Sequence, residues 1–274
     1  MSNRIDRRFS ELRAVGRAAL IPFITAGDPG VDATVPVLHA LVQAGADIIE
    51  LGVPFSDPMA DGPVIQLSSE RALARKVGLT RVLDFVREFR RKDATTPLVL
   101  MGYLNPVELY GVKRFAHDAA EAGVDGVLLV DCPPEEAGAV RSALSEHGMH
   151  QILLAAPTSD DARISELLRD TGGYLYYVSF AGVTGAARLE MGAVRERVIA
   201  IKRDSATPVA VGFGVRDADS ARAIAAFADA VVIGSALVQT LADAVDPVDA
   251  AQRAASFLAP IRAALDRPAG SASV

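Results

Sequence analysis

Residues 44–51, Ala44-Gly45-Ala46-Asp47-Ile48-Ile49-Glu50-Leu51, lead from a helical pattern through a glycine directly into a short apolar run. The glycine is typical of the left-handed residue that ends a helix. A similar transition recurs at Ala122-Gly123-Val124-Asp125 and, without the glycine, at Phe227-Ala228-Asp229. Turns that connect a helix straight to a strand predict a chain built from repeated strand and helix units.

Eight short runs rich in Val, Ile, Leu or Tyr extend this pattern along the chain. They show little alternation of apolar and polar residues, which is typical of strands buried on both faces of a parallel sheet. The predicted strands are residues 18–24, 47–51, 97–101, 126–130, 151–155, 174–179, 208–211 and 230–233. Amphipathic helical patterns lie between them, at residues 31–44, 79–90, 113–122, 134–146, 160–169, 194–202 and 217–226.

Eight strand and helix units without an intervening linker predict an α/β fold, a closed (β/α)8 TIM barrel that forms a single domain over residues 1–274. Residues 1–15 are predicted to form an extra N-terminal helix that caps the bottom of the barrel. The tail at residues 267–274 contains Pro, Gly and Ser and is expected to fray. The alternative fold is an open, doubly wound sheet.

The composition disfavours several classes of partner. Lys and Arg number 28 against 34 Asp and Glu, a net charge of −6, so neither a nucleic acid nor an anionic membrane is expected to bind. No apolar run reaches the ~18 residues of a membrane span, and the first residues lack the apolar segment of a signal peptide. Cys132 is the single cysteine, so no internal disulfide can form. These features predict a cytoplasmic protein.

Two acidic residues stand where a barrel of this kind places its active site, at and after the carboxyl ends of the strands. Glu50 follows two isoleucines in an otherwise apolar strand, where a carboxylate is costly unless it has a partner or a function. A structural Glu that satisfies the backbone or an arginine is the alternative. Asp61 lies on the proline-containing loop 52–66 that follows. Asp57 competes with it, although an Asp before a proline is more often a turn residue.

Glycines at the ends of the last two strands predict a phosphate site. Gly212-Phe213-Gly214 and Gly234-Ser235 each precede a helical pattern, so backbone N–H groups and a helix N-terminus can face an anion. The alternative is a pair of tight turns. A long loop at residues 180–191, with Gly182-Val183-Thr184-Gly185, is typical of either an active-site lid or a plain connector.

Other types of catalysis lack the residues they need. No lysine ends a predicted strand, which disfavours a Schiff-base mechanism. The histidines fall in helical patterns or at the bottom of the barrel, where they build no metal site. Carboxylate acid–base chemistry on a phosphorylated, largely apolar ligand remains.

The motifs resemble those of the tryptophan synthase alpha subunit family. The most specific resemblance is residues 50–66, Glu-Leu-Gly-Val-Pro-Phe-Ser-Asp-Pro-Met-Ala-Asp-Gly-Pro-Val-Ile-Gln. Residues 22–29, Pro-Phe-Ile-Thr-Ala-Gly-Asp-Pro, match as well, as do residues 181–185 and the glycine motifs of strands seven and eight. The resemblance covers essentially the whole chain and implies a lyase of L-tryptophan biosynthesis that splits indole-3-glycerol phosphate into indole and glyceraldehyde 3-phosphate.

The resemblance implies a role for each matching residue. Glu50 would be the general acid–base, which protonates indole C3 and then helps to deprotonate the glycerol hydroxyl in a retro-aldol step. Asp61 would accept a hydrogen bond from the indole N–H and stabilise positive charge on that nitrogen. Tyr176 would help to position the catalytic carboxylate, and Thr184 would couple closure of the loop to Asp61.

Two further groups of residues complete the implied site. The indole pocket would be walled by Phe23, Met101, Leu128 and Phe213. The phosphate would be bound by Gly185, Gly214, Gly234 and Ser235. The sequence departs from the family pattern at Met101, which replaces a Leu, and at Phe180, where some members carry Arg. These departures bear on pocket fit and on the charge of the loop.

The resemblance also implies a partner, a tryptophan synthase beta subunit in an α2β2 heterotetramer. Residues 54–61 and 105–106 would face it. Pyridoxal phosphate would belong to that subunit, so neither a cofactor nor a metal is expected in this chain. The alternatives are a stand-alone lyase that releases indole, a regulatory barrel that mainly activates a beta-type partner, and another phosphate-binding barrel such as an indole-glycerol-phosphate synthase or a sugar-phosphate isomerase.

Overall fold

Eight strands form at the predicted places in a computed structural model, which describes residues 3–178, 187–212 and 214–266 and, at 187–190, the backbone alone. Each strand is a short run that is buried along most of its length, as the apolar patterns predict. The strands are β1 Ala19–Thr25, β2 Ile49–Gly52, β3 Leu98–Gly102, β4 Gly126–Leu129, β5 His150–Ala155, β6 Leu175–Val178, β7 Val209–Gly212 and β8 Ala230–Ile233.

The strands close into a parallel barrel in the order of the chain. Closure comes from the pairing of β1 with β8, in which Ala19 is opposite Ala230 and Pro22 is opposite Ile233. This pairing confirms the predicted (β/α)8 barrel, since an open sheet would leave both of these strands at an edge.

Helices connect the strands on the outside of the barrel. Those formed by described residues are α1 Arg4–Ala14, α2 Thr34–Gln43, α3 Pro63–Ala74, α4 Leu79–Arg90, α5 Leu104–Tyr110, α6 Val112–Ala122, α7 Gly138–Glu146, α8 Asp161–Asp170, α9 Ala187–Asp204, α10 Ala218–Ala225, α11 Ser235–Ala242 and α12 Pro247–Leu265. The extra N-terminal helix is confirmed. None of the helices in the described ranges has the length and hydrophobicity that a membrane crossing requires.

Three of these helices, α3, α5 and α12, are absent from the sequence patterns. The start of α3 reads as part of a stiff loop, because Gly62 and Pro63 are common turn residues. Pro63 is instead the first residue of the helix, a position at which a missing N–H costs nothing.

Two layers of apolar side chains make up the core. The outer layer lies between the strands and the helices. The inner layer fills the barrel itself, as in other closed barrels of this size. It consists of Ile5, Phe9 and Leu12 of α1 together with Ala19, Ile21, Ile48, Val99, Leu128, Ile152, Tyr174, Tyr176, Ala210, Ala230 and Val232. Helix α1 therefore closes the bottom of the barrel with its apolar face.

The turns that lead from helix to strand dock each strand onto its neighbour. Gly45 and Gly123 have φ angles of 98° and 97°, which confirms the predicted left-handed residues. The aspartate that follows accepts a hydrogen bond from the neighbouring strand, Asp47 from the N–H of Leu20 and Asp125 from that of Leu98, each at 2.9 Å.

Arginines neutralise both buried aspartates at the bottom of the barrel. Asp47 pairs with Arg17 at 2.7 Å and with Arg262 of α12 at 2.9 Å. Asp125 pairs with two arginines, Arg4 of α1 and Arg90 of α4, at 2.8 Å each. The bottom is thus a stabilising face, and the opposite end is left for the site.

Candidate active site

Glu50 lies inside the barrel, fully buried, with its Cα between those of Phe23 and Val99 in the sheet. Burial raises the pKa of its carboxyl to about 7 from the usual 4.5, although a hydrogen bond from Tyr174 works in the opposite direction. The Oε2 atom has no hydrogen-bond partner among the described residues. A carboxyl that gains and loses a proton near neutral pH, with one oxygen unpaired, is suited to general acid–base work.

Tyr174 holds this carboxyl, and its hydroxyl donates a hydrogen bond of 2.6 Å to Oε1 of Glu50. The family resemblance implies this role for Tyr176. That residue also lies in the barrel interior, but it forms no hydrogen bond to Glu50 in the structure. Tyr176 packs against Gly212 instead, where a Cβ atom would lie 2.3 Å from its hydroxyl oxygen. Tyr174 lies just before β6, and the sequence predicts site residues at the carboxyl ends of the strands, so its pattern does not indicate this role.

Asp61 lies at the top of the barrel, on the loop between β2 and α3. The Tyr103 hydroxyl donates to its Oδ2 atom at 3.1 Å and accepts from the N–H of Ala60 at the same distance. Partial burial raises the pKa of Asp61, and the Tyr103 hydrogen bond opposes that rise. Tyr103 directly follows β3, yet no motif in the sequence singled it out.

Asp57, the competing acid on the same loop, is exposed. Its carboxylate accepts a hydrogen bond from the hydroxyl of the adjacent Ser56, and its carbonyl accepts one from the N–H of Met59. It is a turn residue, as the proline after it predicts. Asp61 is the acid that faces the pocket.

A pocket with both apolar and polar walls opens beside Asp61. Phe23 and Met101 line it, as predicted, and Gly52 lets the Phe23 ring approach, because a Cβ there would lie 2.6 Å from the ring. The complete lining is Phe23, Thr25, Gly52, Val53, Asp61, Ile65, Ser69, Met101, Gly102, Tyr103 and Val130. Leu128 lies deeper, in the inner core, and Phe213 is outside the described residues. The apolar side chains of this lining can contact an apolar ligand group, and the Asp61 carboxylate can accept a hydrogen bond from a ligand N–H.

The structure describes only some of the residues that are predicted to bind phosphate. Gly234 is the N-cap of α11 and Ser235 is its first residue, exposed to solvent. Gly214 has a φ of 44°, a left-handed conformation that favours glycine. Gly185, Thr184 and Phe180 lie outside the described residues. The free N–H groups at the start of α11 can bind an anion.

Among the described residues, no three His, Cys, Asp or Glu side chains form a group that could hold a metal ion. Two apolar side chains are strongly exposed near the pocket rim, Met59 at 86% and Leu109 at 82%. Met59 lies on the loop that carries Asp61, and Leu109 lies on α5. Single exposed apolar side chains are common on protein surfaces, and a contiguous apolar patch is what indicates a protein interface.

Comparisons with known proteins identify related chains. The family model for the tryptophan synthase alpha chain matches residues 9–265. A tryptophan synthase alpha chain from Xanthomonas axonopodis pv. citri is 62% identical over 265 residues, which cover 96% of this chain and 99% of that one. Another from Xanthomonas campestris pv. campestris is 60% identical over 96% of this chain and 97% of that one.

Solved structures give the same result. The crystal structure of tryptophan synthase subunit alpha from Legionella pneumophila superposes with a TM-score of 0.90 at 43% identity, over 97% of this chain and 99% of that one. The aminoacrylate-bound form of tryptophan synthase from M. tuberculosis matches with a TM-score of 0.85 at 37% identity, over 96% of this chain and 100% of that one.

Proposed function

The chain belongs to the tryptophan synthase alpha chain family, the lyase subunit that cleaves indole-3-glycerol phosphate in tryptophan biosynthesis, and we propose that Glu50 and Asp61 are the two acids that perform the cleavage. One observation carries this assignment. Glu50 is a fully buried carboxyl with a pKa of about 7 and an unpaired oxygen, inside a barrel whose other inward-facing residues are mostly apolar.

Glu50 acts twice in the proposed reaction. Its protonated carboxyl gives a proton to C3 of the indole ring, which places positive charge on the ring nitrogen. The resulting carboxylate then takes the proton of the adjacent glycerol hydroxyl. The oxygen electrons form the aldehyde, the C–C bond breaks, and its electron pair restores the indole ring. Glu50 ends the cycle protonated, as it began.

Asp61 stays ionised throughout this cycle. Its carboxylate accepts a hydrogen bond from the indole N–H and stabilises the positive charge that develops on that nitrogen. Asp61 is only partly buried, whereas Glu50 is fully buried. The two acids therefore have different environments, which suits the division of roles.

The substrate is held at its two ends. Phe23 and Met101 contact the indole ring, with Leu128 and Phe213 deeper or beside it. The phosphate binds at the N-terminus of α11, to the backbone of Gly234 and to Ser235, with Gly214 and Gly185 close to it. Tyr174, rather than Tyr176, positions the Glu50 carboxylate, and Thr184 is the residue proposed to couple closure of its loop to Asp61.

A tryptophan synthase beta subunit is the partner that membership of the family implies. We infer an α2β2 heterotetramer in which Met59 and Leu109 are covered by that subunit, because both side chains are exposed and apolar. We expect pyridoxal phosphate to bind to the beta subunit and no cofactor to bind to this chain. The single domain proposed for this chain is then one barrel docked on its partner.

Release of indole from indole-3-glycerol phosphate by the purified chain, with and without a cognate beta subunit, tests the function. Slow release that rises strongly with the partner is the expected result. Fast release by the chain alone would indicate a stand-alone lyase, and no release under either condition would leave a regulatory barrel that only binds its ligand.

A further inference from the structure

Helix α3 begins two residues after Asp61 and reaches back to hold the loop that carries it. Nε2 of Gln66 donates a hydrogen bond of 2.8 Å to the carbonyl oxygen of Asp61, and lies 3.3 Å from that of Pro58. One side chain in the first turn of the helix thus spans the final part of the loop. Tyr103 contacts the Asp61 carboxylate itself, so Gln66 fixes the backbone and Tyr103 the side chain.

The helix is anchored in turn to the end of β1. The hydroxyls of Thr25 and Ser68, both buried, form a hydrogen bond of 2.6 Å. One turn further along α3, Nε and Nη2 of Arg71 donate to the two carboxylate oxygens of Asp28, each at 2.7 Å. Asp28 is only 4% exposed. Such a two-pronged pair fixes orientation as well as distance, which a single ammonium cannot do.

The anchored face of α3 is also a wall of the pocket. Ile65 and Ser69 line the same cavity as Asp61. Gln66 and Ser68 lie between them in the sequence of the helix. A rotation or shift of α3 would therefore move the pocket wall and the acid together.

We propose that Gln66 is a positioning residue for Asp61, and that the Asp28–Arg71 pair anchors the helix from which it acts. The inference rests on the proposed role of Asp61 in the cleavage. Charge stabilisation requires that the carboxylate meet the ring nitrogen in the transition state, and a misplacement of about 1 Å can cost on the order of 100-fold in rate.

The test compares Gln66→Met with Asp61→Asn and with the double variant, in the complex with a cognate beta subunit. Met keeps the length and helix propensity of Gln but donates no hydrogen bond. We expect Gln66→Met to lower kcat for indole release by about 10- to 100-fold, with a smaller change in KM. In the Asp61→Asn background the same change should add less than about twofold.

Matched controls separate positioning from general stability. Gln252→Met makes the same chemical change at an exposed position of α12 and should leave kcat unchanged. Arg71→Lys keeps the charge but loses the two-pronged contact, so it should lower kcat in the same direction and again fail to add to Asp61→Asn. It also serves as the test if Gln66→Met does not fold, which thermal unfolding would reveal.

The outcomes distinguish two failures. Near-normal turnover by Asp61→Asn would overturn the role of Asp61 and with it the proposed function of that residue. An inactive Asp61→Asn beside an active Gln66→Met, or additive losses in the double variant, would overturn the positioning role alone.

Discussion

The protonation of Glu50 is set by two opposing effects on one side chain. Burial disfavours the carboxylate and raises its pKa, while the Tyr174 hydroxyl stabilises the carboxylate and lowers it. The balance near 7 lets the same group donate a proton to carbon and later accept one from oxygen. Neither effect alone would give this range.

Glu50→Gln should abolish cleavage and leave ligand binding nearly intact, because the amide keeps the shape but cannot exchange the proton. Loss of a general acid–base typically costs on the order of 10²- to 10⁴-fold. Indole release measures activity. Since the chain contains no Trp, the fluorescence of the indole ligand reports binding without a protein background. A variant that kept most of its activity would show that Glu50 is not the acid–base.

The same substitution should change how stability depends on pH. Glu50 has a folded pKa of about 7 against an ordinary value of 4.5, so its contribution is fully present below pH 4.5 and is lost as pH rises through 7. The unfolding free energy of the native chain, relative to Glu50→Gln, should fall by about 3 kcal/mol over this window. Urea unfolding at pH 4.5, 6 and 8 measures it. A constant difference would contradict the raised pKa.

Tyr174→Phe should move the alkaline limb of kcat/KM upward by about one pH unit. In the native chain the hydrogen bond from Tyr174 lowers the pKa of Glu50. Without this bond the pKa is higher, so the carboxyl stays protonated to higher pH. Tyr176→Phe is the matched control, because that hydroxyl makes no hydrogen bond to Glu50 in the structure. If the limb moved with Tyr176→Phe and not with Tyr174→Phe, the sequence-based assignment would be preferred.

The sequence could predict the two acids but not their partners. Glu50 stands out because a charged residue in an apolar strand has a cost that local context reveals. Asp61 is preferred to Asp57 because an Asp before a proline is more often a turn residue and because of the family resemblance. Tyr174 and Tyr103 stand in or beside apolar runs of the sequence, where nothing distinguishes them from core residues. Their roles depend on which atoms meet across the barrel, 124 residues apart in the case of Tyr174 and Glu50, and a single sequence does not contain that pairing.

At the scale of elements, we propose that helix α11 binds the phosphate, because its first turn has N–H groups without intrahelical partners and its cap, Gly234, has no side chain. A Cβ atom on Gly234 would lie no closer than 3.7 Å to Phe23 or Ile65. The protein itself therefore has room for a methyl group there, and the absence of a side chain serves the ligand.

Gly234→Val should raise KM by about tenfold or more, as expected for the loss of one hydrogen bond to a charged group, with a smaller effect on kcat. Steady-state kinetics on indole-3-glycerol phosphate measure both. Gly138→Val, at the start of α7 where a Cβ meets nothing within 4 Å, is the control for the substitution itself. An unchanged KM would place the phosphate elsewhere.

Element boundaries were harder to predict than element types. The strands were found within a few residues, since buried apolar runs have a strong signal. The sequence predicts a loop at the start of α3, because Gly62-Pro63 is typical of a turn. A proline is also a favourable first residue of a helix, and that is its position here. Whether such a pair ends a loop or starts a helix depends on tertiary contacts such as that between Ser68 and Thr25.

At the scale of the whole molecule, a few ion pairs at the bottom of the barrel connect the last helix, α12, to the start of the first two strands. Arg262 of α12 is 6% exposed and contacts Asp47, which is 2% exposed and also binds the N–H of Leu20. The stem of Arg262 packs on Gly45, where a Cβ would lie 2.5 Å from it. The repeated units predicted the barrel from sequence, but not that α12 secures its first two strands.

Arg262→Met should lower the unfolding free energy by about 3 kcal/mol, because it leaves the buried Asp47 with one arginine fewer. For a chain of this size the melting temperature should fall by roughly 5 °C. Arg253→Met on the same helix removes an exposed pair with Asp249 and should cost less than about 0.5 kcal/mol. Equal losses in the two variants would show that the buried contact has no special weight.

The length of chain between Asp47 and Arg262 also affects how the protein is made. The two residues are 215 positions apart, so a ribosome needs roughly 10 to 40 s to translate from one to the other at about 5–20 residues per second. For most of that time β8 has not been translated, so β1 lacks this partner and presents an unpaired apolar edge. The nascent chain is therefore a natural client for chaperones until its last helix emerges.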